Sequence, residues 1–120
     1  MKENYCKTIL CDIDGTLLHH HGDLYKQYTC KPILLEDTIK VMSEWDKKKY
    51  NIILVTGRRE SMRKKTEQQL EELGIFYDQL VMGLGGGQRI LINDLKKDSI
   101  LPTAIAINIK RNEGLKNTKV

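Results

Sequence analysis

Asp12 and Asp14 stand one residue apart at the end of the apolar run Thr8-Ile9-Leu10-Cys11, and a Gly15-Thr16 turn follows them. A strand alternates its side chains between two faces, so the two carboxylates share a face, or converge on one spot where the strand ends. At that spacing they repel each other. A divalent cation between them removes the repulsion, and hard oxygen ligands of this kind suit magnesium. One carboxylate can then attack a phosphoryl group while the other handles the proton of the leaving oxygen. The competing reading is an ordinary Asx turn with Asp14 as its cap.

Two more polar residues follow apolar runs of strand length. Asn51 to Val55 leads into Thr56-Gly57-Arg58, where a hydroxyl and backbone amides offer hydrogen bonds to a phosphate. Thr56 would equally cap the next helix. Arg58 and Arg59 lie close enough to Thr56 to reach a substrate anion. Ile90 to Asn93 ends at Asp94, a third carboxylate of the kind an octahedral ion keeping several waters needs, although Asn93-Asp94 also reads as a turn starter. Asp98, beside Ser99, is either a further acid for that ion or part of a surface turn.

The string Asp12-Ile13-Asp14-Gly15-Thr16 resembles motif I of the haloacid dehalogenase (HAD) superfamily in its phosphatase form, and Ile53 to Arg58 and Ile90 to Asp94 resemble later motifs in the family's order. The resemblance implies an α/β, Rossmann-like three-layer sandwich around a mostly parallel sheet, and a magnesium-dependent phosphomonoester hydrolase working through an aspartyl-phosphate. It makes Asp12 the nucleophile and Asp14 the acid and base. Thr56, Gly57 and Arg58 then bind the phosphoryl group, and Asp12, the Asp14 carbonyl and Asp94 hold magnesium. Many capless members carry Lys-Pro after the third strand, where this chain has Leu84 and Gly85. Arg89 is the substitute cation, because a guanidinium bridges carboxylate and phosphate in one plane, with Lys64, Lys96 and Lys97 as alternatives. A helix uses much of the space between the first two motifs, so no cap domain fits there. The chain also resembles small phosphatases of capsule and surface-polysaccharide biosynthesis, which implies a phosphosugar or similar small phosphorylated metabolite. A phosphatase acting on a macromolecule, and a catalytically silent HAD-like binding module, are the alternatives.

The elements that must position these residues run strand, loop, helix, strand, helix, strand, strand, strand. Leu17 to Pro32, with His19, His20 and His21 near its front, is a flap beside the nucleophile; only His19 and His21 would share a face, which argues against a metal site. Leu35 to Lys49 reads as a helix with Ile39, Met42 and Trp45 as its apolar stripe. Ser61 to Leu73 is the second helix, with Met62, Thr66, Leu70 and Leu73 on one side and Gly74 as its stop. Gln79 to Met82 is a third strand, and Gly83-Leu84-Gly85-Gly86-Gly87 is a tight connection with positive backbone torsions. The link from Met82 to Arg89 is short for a parallel crossover, so either the third strand is irregular or its pairing differs from the family's. Ala104 to Ile109 reads as a last buried strand. The domain is assigned to 1–110, and 111–120 to a polar, basic, frayed tail.

The 120 residues, 40% hydrophobic and 30% charged, describe one ordinary globular domain with a single core. The net charge of +4 is spread over helices and the C-terminal end, and no stripe interleaves aromatic with basic residues, which argues against nucleic acid as partner. Three cysteines without metal-ligand spacing suggest reduced thiols in a cytoplasmic protein. No secretory leader or membrane-length apolar run is seen. The expected partner is the small metabolite, with closure of an uncapped site by a homo-oligomer as a further option.

Overall fold

The computed structural model describes residues 6–120. Strands β1 (Thr8–Asp12), β2 (Asn51–Val55) and β3 (Gln79–Val81) form one parallel sheet in the order β1-β2-β3. Asp12 pairs with Val55, and Val55 with Val81, so all three strands finish level at one edge. Between β1 and β2 lie α1 (Leu24–Thr29) and α2 (Thr38–Lys47); between β2 and β3 lie a 3-10 turn (Glu60–Met62) and α3 (Arg63–Glu72). A sheet that steps in one direction through right-handed connections places both crossover helices on the same face. The core agrees: Met42 and Trp45 of α2 and Leu70 of α3 share one buried cluster with Cys11, Ile52 and Leu54 of the strands. Alternation assigns Leu10 and Val81 to the opposite face, where they are 55% and 39% exposed.

The helix ends explain how the chain returns to the sheet on time. After α3, Gly74 takes φ 75°, its amide donates to the Glu71 carbonyl (3.0 Å), and the Ile75 amide donates to Leu70 (2.9 Å). That double return bond needs a left-handed residue, which glycine supplies without strain. After α2 the same pattern is built on Lys49 at φ 63°, with its amide bonded to Asp46 (2.9 Å) and that of Tyr50 to Trp45 (3.0 Å). A side chain in that conformation costs about 1 kcal/mol, which burial of Trp45 next to the turn offsets. The Thr38 hydroxyl at the front of α2 donates to the Leu17 carbonyl (2.9 Å) and so ties the helix to the loop after β1.

Two expected strands are not formed. Residues 84–109 hold no regular element, and Ile90 (76% exposed), Ile92 (88%) and Ile105 (70%) face solvent. The physical reason is the connection: seven residues, Gly83 to Arg89, separate Met82 from Ile90. A parallel strand has to begin again at the far edge of the sheet, which normally takes a dozen residues or more. β3 itself is regular and pairs in parallel with β2. Lys110 to Val120 is also not a frayed tail: Leu115 is buried in the core at 3% exposure, and the Asn112 amide donates to the Gly15 carbonyl (2.8 Å). One apolar residue among polar ones is too faint a pattern to announce that packing. Among the described residues no helix is long and apolar enough to cross a membrane.

Candidate active site

The loop after β1 is wound around one carbonyl. Ile13 accepts the amides of Thr16 (3.2 Å), Leu17 (2.8 Å) and Leu18 (3.0 Å), and Gly15 donates to Leu18 (2.7 Å). This winding lets Thr16 turn back so that its hydroxyl donates to Asp12 Oδ2 at 3.2 Å. Burial raises the pKa of Asp12 above its ordinary value; the Thr16 hydroxyl opposes the rise, Asp14 adds to it, and the Ile13 amide and the Arg89 charge again oppose it. A half-sequestered carboxylate of that kind gains from any positive centre brought up to it. Its neighbour Cys11 is out of the chemistry: burial, then the Asp12 charge, push the thiol up to about 12, and Sγ donates to the Asp12 carbonyl at 3.4 Å.

Asp14 faces a different environment. Arg58 grips it with both arms of its fork, Nε to Oδ2 and Nη2 to Oδ1, each at 2.8 Å. Gln27 Nε2 donates to the same Oδ1 at 2.6 Å. The remaining arm of the guanidinium, Nη1, donates to Thr66 Oγ1 (3.0 Å) and Gln69 Oε1 (2.6 Å) on α3. The side chains of Arg58 and Asp14 are 1% and 11% exposed. Arg58, expected from the sequence to meet the substrate anion, is therefore occupied elsewhere: every nitrogen of its fork is bonded to protein, and its role here is to hold Asp14. An ion pair this sheltered persists only when further hydrogen bonds satisfy both partners, which Gln27, Thr66 and Gln69 do. Sequence reasoning missed those three. Thr66 and Gln69, three apart on the buried side of α3, left a signal as polar residues on an apolar face; Gln27 left none.

Thr56 continues β2 past its last pair, one residue beyond the partner of Asp12, so the register puts both at the same sheet edge. It is 1% exposed, and its Oγ1 accepts the Arg58 amide at 3.1 Å, which fixes the turn and caps no helix. Its amide and carbonyl bond to Val81 (3.0 Å) and Leu84 (3.1 Å), and Gly83 donates to the Arg58 carbonyl (2.7 Å). The glycine run thus lies flat on the Thr56-Gly57-Arg58 turn. A Cβ on Gly57 would stand 2.7 Å from the Gly85 carbonyl oxygen, which is why only glycine fits there. Gly83 and Gly85 adopt φ 79° and 72°, the tight connection expected of the run.

The remaining candidates lie outside this cluster. Arg89 is exposed, bonds to the Gly85 carbonyl (3.2 Å), and is near enough to Asp12 for its charge to count there. Asp94, expected to close a cation site from a strand end, is exposed in the irregular segment, with its carbonyl accepting the Thr103 hydroxyl (2.6 Å). Asp98 sits in a surface turn at φ 64°. His19 and His21 meet ring edge to ring face at 5.0 Å. Among the described residues no three acids, histidines or cysteines are gathered so as to hold a metal ion. The expected ligand set of Asp12, the Asp14 carbonyl and Asp94 is therefore not gathered as arranged, because Asp94 lies exposed with no strand to carry it to the sheet edge.

An acid pair after the first strand and a threonine after the second, level on one edge of a parallel sheet, is the arrangement of a HAD-like phosphatase domain, a hydrolase of phosphoric monoesters. Within that class the chain belongs to the family described as the polynucleotide kinase PNKP phosphatase domain, whose model matches residues 6–106. Two solved structures are similar to it. One, a Pnkp1/Rnl/Hen1 complex, holds a chain 34% identical, with a TM-score of 0.57 over 64% of this chain and 27% of that one. The other, described as the Pnkp1/Rnl/Hen1 RNA repair complex, holds a chain 33% identical, with a TM-score of 0.57 over 78% of this chain and 28% of that one. The present chain thus spans little more than a quarter of those chains. Among curated proteins no significant match is found. The RNA repair setting of these structures overturns the expectation of a small phosphorylated metabolite as partner with nucleic acid set aside. A stripe of interleaved aromatic and basic residues reports on binding along a strand, so its absence is no argument about binding at an end.

Proposed function

We propose that this domain removes terminal phosphates from nucleic acid ends, with RNA the first candidate. The observation that carries the reading is the level edge that sets Asp12 and Thr56 at the ends of paired strands, in a chain whose family is that of the polynucleotide kinase PNKP phosphatase domain and which is similar to a chain of an RNA repair complex. Asp12 attacks the phosphorus in line: an Asp12 oxygen–phosphorus bond forms, the ester bond to the sugar oxygen breaks, and Asp14 supplies the proton that the leaving alkoxide needs. Water then cleaves the aspartyl-phosphate, and Asp14 takes its proton. Oδ1 of Asp14 accepts from both Arg58 Nη2 and Gln27 Nε2, and Oδ2 from Arg58 Nε alone, so the remaining lone pair of Oδ2 is the one that carries the proton to the leaving oxygen. Arg89, whose charge counts at Asp12, is the candidate cation to meet the incoming phosphate.

Magnesium, implied by the family resemblance, belongs to this proposal through Asp12, the carboxylate of the pair that the Arg58 fork leaves alone. The phosphosugar reading, which rested on likeness to polysaccharide-biosynthesis phosphatases, gains nothing from the matches. A cytoplasmic setting fits the unpaired Cys6, Cys11 and Cys30. The test is phosphate release from oligoribonucleotides phosphorylated at either end, with and without added magnesium, by the wild type and by Asp12→Asn. Release by the wild type and its loss in the variant supports the reading. No release from either end in either condition sinks it.

A further inference from the structure

Gln27 is 3% exposed and sits on α1, in the flap that separates β1 from α2. Its carboxamide is used in full: Nε2 donates to Asp14 Oδ1 at 2.6 Å and to the His19 carbonyl at 3.1 Å, while Oε1 accepts the His21 amide. Its backbone carbonyl accepts from Gln69 Nε2 at 3.3 Å, and Gln69 Oε1 in turn accepts Arg58 Nη1 at 2.6 Å. The flap, α3 and the Asp14 carboxylate are thereby joined in one hydrogen-bonded unit.

We infer that Gln27 is a positioning residue for Asp14, setting the rotation of its carboxyl within the Arg58 fork and tying that setting to the placement of the flap. The inference rests on the proposed reaction, in which Asp14 serves the leaving oxygen. Arg58 alone holds both oxygens at equal distance and so resists translation, but one guanidinium plane leaves the carboxyl free to tilt. The third bond, from a different element, removes that freedom. Only glutamine meets the requirement. Glutamate would turn acceptors toward Asp14 and the His19 carbonyl, asparagine is one methylene short, and methionine keeps length and burial while deleting the donors.

The consequence is selective. A nitrophenolate leaves without a proton, whereas a sugar alkoxide does not, so a mis-set Asp14 harms alkyl esters far more than p-nitrophenyl phosphate. The experiment compares wild type, Gln27→Met and Gln27→Glu on p-nitrophenyl phosphate and on a terminally phosphorylated oligonucleotide. Gln27→Met is expected to lose roughly tenfold more kcat on the oligonucleotide than on the aryl ester, part of the about 10²–10⁴-fold that a positioned acid supplies, with KM near the wild-type value. Gln27→Glu loses more. Equal losses on both esters, or no loss on the oligonucleotide, overturn the inference. A second measurement needs no turnover: urea unfolding of Gln27→Met, Asp14→Ala and the double variant. A double variant destabilised by less than the sum of the two singles supports the contact as the link, and strict additivity overturns it. A wild type that hydrolyses neither ester defeats the proposed function instead, and the unfolding cycle then decides the inference by itself.

Discussion

Arg58→Ala is the perturbation whose size the structure sets most firmly. The substitution leaves Asp14, 11% exposed at its side chain, as a sheltered carboxylate with Gln27 as its remaining donor, and strips Thr66 and Gln69 of theirs. Breaking such a pair from one side costs about 3–5 kcal/mol, because the orphaned charge keeps its desolvation penalty. Domains of this kind have about 5–15 kcal/mol to lose, and at roughly 4 °C per kcal/mol the melting point falls by about 12–20 °C. Trp45, the single tryptophan and 4% exposed in the core, reports the transition by its fluorescence in urea. Removing both partners, as Arg58→Met with Asp14→Leu, recovers most of the loss, since well-packed apolar side chains replace a buried pair at little cost. Phosphate release stays absent in that double variant. A loss below about 1 kcal/mol in Arg58→Ala, the value of an exposed surface pair, would refute the claim that this contact is sheltered and committed.

Two further outcomes follow from the same edge. Gly57→Ala drives a methyl to 2.7 Å from the Gly85 carbonyl oxygen, so the glycine run has to lift off the Thr56 turn; the expected cost is about 1–3 kcal/mol in urea unfolding, together with weaker turnover, and a variant as stable as wild type would show that the run does not rest there. Asp12→Asn is expected to be more stable than wild type at neutral pH although inactive. The folded Asp12 holds its proton more tightly than the ordinary value of 3.8, so the native state is favoured in acid and loses that advantage as pH rises through the folded value. The gain from asparagine therefore shrinks as pH falls toward 3.8, and melting curves from pH 7 downward check it; a gain that grows on acidification would show that burial is not the cause.

Much of this arrangement was legible in local pattern. β2 occupies Asn51–Val55, the run read from the sequence; β3 lies within the run read as a strand, and β1 extends its run by one residue, to Asp12. A short apolar stretch between turn signals carries its own evidence. The stripe of Met42 and Trp45, and Gly74 as a stop, were visible because helical spacing and a left-handed cap are properties of a few adjacent residues. Ile90 to Asn93 carried the same local pattern and did not form a strand. Whether a run becomes a strand depends on reaching a partner, and the seven residues before it cannot make the crossing. Asp94 inherited that failure, since its expected role as a ligand depended on the strand that would have carried it.

The harder miss concerns Arg58, and it shows what local pattern leaves open even where the strand is right. An arginine two residues after Thr56 looks the same in sequence whether it points at substrate or into the protein. What decides is the company it meets: Asp14 lies 44 residues away along the chain, and Thr66 and Gln69 lie eight and 11 residues on. Three acceptors, Thr66 and Gln69 buried on α3 and Asp14 nearly so, make inward pairing the arrangement in which no polar group is left unpaired. The two halves of the acid pair thereby acquire separate surroundings from adjacent positions on one loop. Asp12 is left partly buried with a hydroxyl and backbone for company, while Asp14 is enclosed by a cation and an amide, so two carboxylates one residue apart share no common environment.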